Sequence, residues 1–250
     1  MVISNQKDLM GIMAIGRICG LTLQHMIEHA EVGMSTAELD TIGASFLAKH
    51  KARSAPILAY RFPGHTCISI NDEAAHGIPS KDKIIQAGDL VNIDVSAEKD
   101  GYWADCGMSI CMPPIAPERQ KMLDTTRAAF DVAFETAKAG MFVFEVGRAV
   151  EKFIVRNGYQ VLDQLGGHGV GRGIHEAPSI PNWYNRTMRQ KLEENGVVTL
   201  EPFLSTRTRV VMTMPDGWTL KTSDGSLATQ YEHTVIITKN KPILVTAIDA

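Results

Sequence analysis

One pattern constrains the fold of this chain more than any other. The order helix, Gly-Met, helix, carboxylate-bearing strand is written twice, 107 residues apart. Apolar residues recur every three or four positions from about Asn5 to Ala30 (Leu9, Met13, Cys19, Leu23, Met26) and predict a first helix. Gly33-Met34 follows. Ser35 and Glu38 then have the spacing of a capping box, opening a second helix with Leu39, Ile42, Phe46 and Leu47 on one stripe. A long helix is predicted again from about Pro117 to Lys138, followed by Gly140-Met141 and a helix around Val146 to Asn157. Gly33 and Gly140, Glu38 and Glu145, Phe46 and Phe153, and Asp94 and Glu201 are each separated by 107 positions. The expectation is a duplicated α+β unit: one domain over 1–250, with halves of about 1–115 and 116–250 related by an approximate two-fold. Asp94 and Glu201 then become counterparts facing the junction of the halves.

Strand patterns fill the rest. Cys67 to Ile70 reads as a strand, and Leu90 to Ala97 with Tyr102 to Cys111 as a hairpin around Lys99-Asp100-Gly101. Val197 to Phe203, Arg209 to Met214, Trp218 to Thr222 and Thr229 to Thr238 are the strands of the second half. Four acids lie inside this apolar text: Asp94, Asp105, Glu201 and Glu232. One such acid alone is more often a hydrogen-bonded core residue than a ligand. The hairpin register changes that balance. With Asp100-Gly101 as the turn, Lys99 faces Tyr102 and Ser96 faces Asp105, so Asp94 shares a face with Asp105 one diagonal step away, ~7–8 Å or less. Two carboxylates so placed repel unless one is protonated or a cation lies between them. Uncompensated burial would cost several kcal/mol per ion. Two divalent cations match four negative charges, and oxygen-rich ligands with one or two imidazoles suit a Co, Mn, Fe or Zn pair ~3.5–4 Å apart.

The imidazole is assigned to His168, within Gly166-Gly167-His168-Gly169-Val170-Gly171. These glycines do not make a phosphate loop: a GxGxxG reading needs glycine where Arg172 or Ile174 stands, and no Lys-Ser/Thr follows. They are expected to let the backbone pass close to the site. His175, seven residues on, fits a polar group beside it. His76, in the turn Ala74 to Pro79, reads equally well as a site residue or an exposed loop residue. His25, His29 and His50 lie on predicted helices and read as surface or satisfied residues, and His65 stays unassigned. His233 alternates to the face opposite Glu232, and Arg207 and Arg209 read as solvated charges.

Several classes are disfavoured. Charged residues make up 21%, the formal net charge is −3 and no Lys/Arg run stands out, so no specific nucleic-acid partner is expected. The N-terminus lacks the order of a signal peptide, and no apolar run approaches the ~18–20 residues of a membrane span. Four cysteines without a CxxC pair point to a reducing cytoplasm rather than a disulfide framework.

Taken together, the segments Cys67-Ile68-Ser69-Ile70-Asn71 with His76-Gly77-Ile78-Pro79, Gly88 to Asp94, Asp100-Gly101-Tyr102 with Asp105, Gly167 to Gly171 with His175-Glu176-Ala177-Pro178, Glu201-Pro202, and Tyr231 to Thr234 resemble the type I methionine aminopeptidases. That family has the pita-bread fold, which it shares with prolidases and aminopeptidase P: an α+β fold of two pseudo-symmetric halves with a curved antiparallel sheet and outer helices. The resemblance covers nearly the whole chain. It implies that Asp94 ligates one metal ion, Asp105 and Glu232 bridge two, and His168 and Glu201 complete the other. It further implies catalytic roles for Glu201, His175 and His76. His76 and His175 would lie beside the scissile bond, and Trp218, Phe62 and Cys67 would line or flank a methionine pocket. The implied activity is removal of the initiator methionine from nascent polypeptide N-termini, with a preference for small second residues. The implied setting is a monomer in the cytoplasm, in association with the ribosome and without nucleic acid or membrane as a specific partner. The chain departs from many members at Cys106, Ile174, Pro56 and Ala59, where the family often carries Thr or Ser, Phe, Cys and Tyr. Other readings are a proline-directed peptidase of the same fold, a non-catalytic binding relative and a metal-dependent phosphoesterase.

Overall fold

The structure is a computed structural model and describes residues 1–247. The chain opens with α1 (Gln6–His29) and α2 (Thr36–Lys49), then β1 (Arg53–Ser54), α3 (Ala55–Tyr60), β2 (Cys67–Ile70) and β3 (Glu73–Ala75). The hairpin β4 (Leu90–Lys99) and β5 (Tyr102–Cys111) follows, then α4 (Pro117–Thr136) and α5 (Val143–Arg156). The remainder is β6 (Gln160–Val161), β7 (Gly166–Gly169), β8 (Glu176–Pro181), β9 (Val197–Leu200), β10 (Phe203–Ser205), β11 (Val211–Thr213), β12 (Leu220–Thr222), β13 (Ala228–Ile236) and β14 (Ile243–Leu244).

The expected helices form because their apolar stripes meet a sheet. Ile12, Ile15, Cys19 and Met26 of α1 join Leu39 and Leu47 of α2 over Ile93, Val95, Ala104 and Cys106 of the hairpin. Met122, Ala129, Phe130 and Ala133 of α4 join Val146, Val150 and Ile154 of α5 over Val198, Leu200 and Val235. Full burial of each large aliphatic side chain contributes ~1.5–3 kcal/mol. Helix α1 is long and apolar enough by length and composition to cross a membrane, contrary to the expectation that no run reaches that length. Its apolar face is instead spent on this core.

The repeat is visible in the backbone. α2 and α5 both span 14 residues, and their first residues, Thr36 and Val143, are 107 apart. Gly33 and Gly140 turn the chain with φ of 93° and 87°, in the left-handed region that glycine enters without a Cβ clash. Gly33 N–H donates to Ile85 O and Gly140 N–H to Leu192 O, both at 2.8 Å. Ile85 N–H and Leu192 N–H donate in return to Met34 O and Met141 O at 2.9 and 2.8 Å.

The main sheet is antiparallel throughout, with its path running β1-β4-β5-β13-β9-β7-β8, and β2 pairs with the same β4. Each half therefore contributes a central pair, β4-β5 and β9-β13, and the two pairs join where β5 meets β13. This is the α+β pita-bread architecture. One face of the sheet carries the helices and the other carries the site. The predicted strand Val197 to Phe203 breaks at Glu201-Pro202, because proline has no N–H to continue a ladder. Elements without a clear pattern in the sequence are the short ones: α3, β1, β3, β6, β7, β8 and β14.

Candidate metal and catalytic site

The hairpin register is the expected one: Lys99 pairs with Tyr102 and Ser96 with Asp105. The ladders then align a row across the sheet. Cys67 of β2 lies opposite Asp94 of β4, Asp94 opposite Gly107 of β5, and Gly107 opposite Glu232 of β13. Glu201 lies one step beyond the His233–Leu200 pair, and so flanks Glu232. Asp105, two residues before Gly107, projects from the same face. Gly107 had no signal of its own in the sequence, and its role is steric. A Cβ there would lie 3.0 Å from Gln230 Oε1 and 3.2 Å from Glu232 Oε2, so glycine leaves the floor of the site open between the two halves.

His168 comes from β7. Its glycines are part of this strand, wedged between β8 and β9. A Cβ at Gly167 would meet Thr199 O at 2.3 Å, and one at Gly169 would meet Ala177 O at 2.2 Å. Close strand packing, rather than metal approach alone, explains these glycines. His168 Nε2 lies 3.4 Å from Glu201 Oε1 and 3.8 Å from Asp105 Oδ2. One ligand atom each from Asp105, His168 and Glu232 falls within 4.8 Å of the others.

The electrostatics of this cluster leave two ways to relieve the repulsion, protonation or a bound cation. Burial, followed by Asp94 and Glu201, drives the Asp105 carboxyl well above its usual range. Burial with Asp105 and Glu201 does the same to Glu232, and burial with Asp94 to Glu201. Burial lifts Asp94 to about 6, while a hydrogen bond shared with Asp105 opposes the rise. His168 is pushed down to about 3 by burial and then by the nearby His175, so it presents a neutral imidazole with a free lone pair. Asp105 Oδ1 and Glu232 Oε1 are buried without any hydrogen-bond partner. Orphaned buried acceptors beside a neutral imidazole are the donor set of a metal site, and the residues fit two divalent ions.

A buried polar chain supports the carboxylates. Ser109 Oγ donates to Asn92 Oδ1 at 3.1 Å, and Asn92 Nδ2 donates to Gln230 Oε1 at 2.6 Å. Gln230 Nε2 then donates to Glu232 Oε2 at 2.8 Å and lies 3.5 Å from Glu201 Oε2. Thr199 Oγ1 donates to Glu201 Oε1 at 3.1 Å. Period two along β4 and β13 would have found Asn92 and Gln230, two residues before Asp94 and Glu232 on the same face.

A cavity of about 800 Å³ opens over the cluster and brings together every residue named from the sequence for site and pocket: Asp94, Asp105, His168, Glu201, Glu232, His76, His175, Trp218, Phe62 and Cys67. Phe62 and Trp218 meet edge to face, their ring centroids 5.2 Å apart. Trp218 is held in a turn by Asp216, whose Oδ1 accepts from the Trp218 N–H at 2.8 Å, rather than in the predicted strand. His76 takes a left-handed backbone, φ 53°, a strained conformation for a non-glycine residue, and lines the cavity. Burial and then His175 lower its pKa, and burial lowers that of His175. The Tyr60 hydroxyl lies 2.5 Å from His175 Nδ1. Ala59 had stood out as a missing tyrosine, and the next residue supplies one. Pro56 and Ile174 line the cavity as apolar wall. Cys106 faces away from the site, its thiol directed at Val95 O, and Asp105 is instead steadied by Thr234, whose Oγ1 accepts from the Asp105 N–H at 3.0 Å. His233 also lies apart, bonded to Thr246 and Tyr231. Arg209 is not merely solvated, since it pairs with Glu151 and Asp163.

The sequence profile of metallopeptidase family M24 matches residues 11–239. A protein named methionine aminopeptidase 2 from Bacillus subtilis (strain 168) is 45% identical over 249 residues, covering 99% of this chain and all of the relative. A methionine aminopeptidase from Escherichia coli (strain K12) is 34% identical, covering 95% of this chain and 90% of the relative. Among solved structures, the methionine aminopeptidase of Thermotoga maritima superposes with a TM-score of 0.94 at 27% identity, covering 99% of this chain and 100% of that one. A prolidase from Pyrococcus furiosus shares the fold at a TM-score of 0.80 and 24% identity, and the match covers 66% of its chain. Sequence and geometry agree, and the chain belongs to metallopeptidase family M24, among the methionine aminopeptidases.

Proposed function

We propose that this chain is a type I methionine aminopeptidase that removes the initiator methionine from nascent polypeptides, as a single catalytic domain and a monomer, in the cytoplasm near the ribosome. The observation that carries the reading is the row of buried and half-buried carboxylates meeting His168 under an apolar, aromatic-lined cavity. The full-length match to relatives of this name supports it, as does the absence of a long helical insertion among the described residues.

Asp94, Asp105, His168, Glu201 and Glu232 would hold two divalent ions. Bound there, Co, Mn, Fe or Zn supplies Lewis acidity and lowers the pKa of water toward neutrality. Glu201 accepts the proton of the attacking water as its oxygen adds to the scissile carbonyl carbon. With Tyr60 donating to His175 Nδ1, the Nε2–H of His175 is left to donate to the carbonyl oxygen as negative charge develops. His76 hydrogen-bonds the scissile nitrogen, and Glu201 returns the proton there as the C–N bond breaks. The methionine side chain lies against Phe62, Trp218 and Cys67. The walls beyond it favour a small second residue.

Hydrolysis of Met-Ala-Ser, Met-Lys-Ser and Xaa-Pro peptides, before and after chelation, tests this. Met-Ala-Ser should be cleaved fastest, and only with metal restored. Faster release from Xaa-Pro would favour a proline-directed enzyme. Full activity after metal removal would refute the site.

A further inference from the structure

We infer that His25, Glu28 and His29 form a second, surface metal site for a borderline divalent ion such as Zn²⁺, Ni²⁺ or Cu²⁺, separate from the cluster between the two halves. The sequence reading left these histidines as surface or satisfied residues, but the structure brings them together in the last turns of α1. The i, i+3, i+4 spacing puts all three on one helix face. A ligand atom of each lies within 4.8 Å of the other two.

Three further observations point to a cation. His29 Nδ1 lies 2.8 Å from His25 O, so the ring N–H donates to that carbonyl and Nε2 keeps its lone pair free. Metal-ligating histidines are oriented by bonds of this kind. Among the described residues the His25 ring has only ring contacts and the Glu28 carboxylate has no hydrogen-bond or ion-pair partner, so neither must give one up to ligate. The group sits at the C-terminal end of a 24-residue helix, where the backbone dipole favours positive charge.

The geometry is also partly preset. The His25 ring is braced between His29, at a centroid distance of 4.2 Å, and Phe46 of α2 at 4.8 Å. Phe46 in turn separates it from His50. Two imidazoles and one carboxylate select differently from the main cluster's four carboxylates and single imidazole. They suit Zn²⁺, Ni²⁺ or Cu²⁺ and hold Mn²⁺ weakly. Three protein ligands leave a position open to water. Glu28 and His29 are exposed, so the ion enters without any opening of the fold.

The test is binding stoichiometry, which does not depend on the hydrolytic reading. Metal-stripped protein is titrated with Ni²⁺ by equilibrium dialysis, alongside the double variant His25→Gln/His29→Gln. The wild type should take up one more equivalent than the variant, and the two should hydrolyse a methionyl peptide equally with Mn²⁺. Glu28→Gln should retain that equivalent at several-fold lower affinity. Equal Ni²⁺ uptake by the wild type and the correctly folded double variant would overturn the proposal. So would a Cu²⁺ signal in electron paramagnetic resonance that lacks nitrogen ligation for the extra equivalent.

Discussion

The two halves of this molecule repeat one order of elements and differ in what they place on it. Each runs helix, Gly-Met turn, 14-residue helix and carboxylate strand, with the same turn hydrogen bonds 107 residues apart. The first half brings two aspartates, and its flanking strand β2 brings Cys67 toward an apolar wall. The second half brings two glutamates, and its flanking strand β7 brings His168. The repeated order sets Asp94 and Glu201 107 positions apart, and the β5–β13 pairing brings Asp105 and Glu232 to the same seam. The divergence places Cys67 opposite Asp94 in one half and His168 beside Glu201 in the other.

The comparison breaks most sharply at Asp94 and Glu201, counterparts in position but unequal in role. Glu201→Gln should lower kcat by ~10²–10⁴-fold, with peptide affinity kept and no rescue by excess metal. Asp94→Asn should also lose activity but regain part of it as metal is raised. Steady-state kinetics across a metal titration check this, and equal rescue of both variants would erase the proposed difference.

A second effect falls on the seam as a whole. Carboxylates whose folded pKa is raised stabilise the fold below their unfolded values, and that stability is lost as pH rises through the folded values. The neutral buried imidazoles, His168 at about 3 and His233 at about 4, act oppositely and lose stability as pH falls below about 6.5. The two trends offset one another between about pH 4.5 and 6.5. Above that window only the carboxylates remain, with Asp105, Glu201 and Glu232 all pushed well up. The metal-stripped protein should therefore lose up to about 1.4 kcal/mol per pH unit for each carboxyl still protonated in the folded state. Bound metal should abolish the loss. Thermal melts at pH 6.5 and 8.5, with and without chelator, measure it. A melting point of the stripped protein that rises with pH would contradict it.

Gln230 joins the halves through Asn92 on one side and Glu232 and Glu201 on the other. Gln230→Leu should weaken metal binding by ~10–100-fold while leaving the fold intact, as read by calorimetric titration. The smallest effect separates the two Gly-Met turns. Ser35 caps α2 through its hydroxyl and Glu38, whereas Phe142 at the same place has no hydroxyl and α5 relies on Glu145. Ser35→Ala should cost ~1 kcal/mol in a denaturant melt with activity unchanged.

Much of this was legible in the sequence, for identifiable reasons. The helices followed from 3.6-residue stripes, and the Asp94–Asp105 relation from a two-residue turn that fixes register. The four acids among the candidate ligands stood out because charge is costly inside apolar strands, whereas His168 stood out by its glycine-rich segment and by the family resemblance. What stayed hidden depended on contacts between distant segments. β7 and β8 have no period-two pattern, because β7 is glycine packed between backbones. Gly107 looks ordinary until its neighbours across two ladders are known. Tyr60 reaches His175 across 115 residues. Gln230 and Asn92 read as polar strand residues until Ser109 and Glu232 complete their chain.

We propose that two metal ions lie at the seam, held by both halves. Anomalous scattering from crystals of the Mn²⁺- or Co²⁺-loaded protein tests it most directly. Two peaks ~3.5–4 Å apart are expected, both touching Asp105 and Glu232, one also reached by Asp94 and the other by His168 and Glu201. Peaks confined to one half, or none among these five residues, would contradict it.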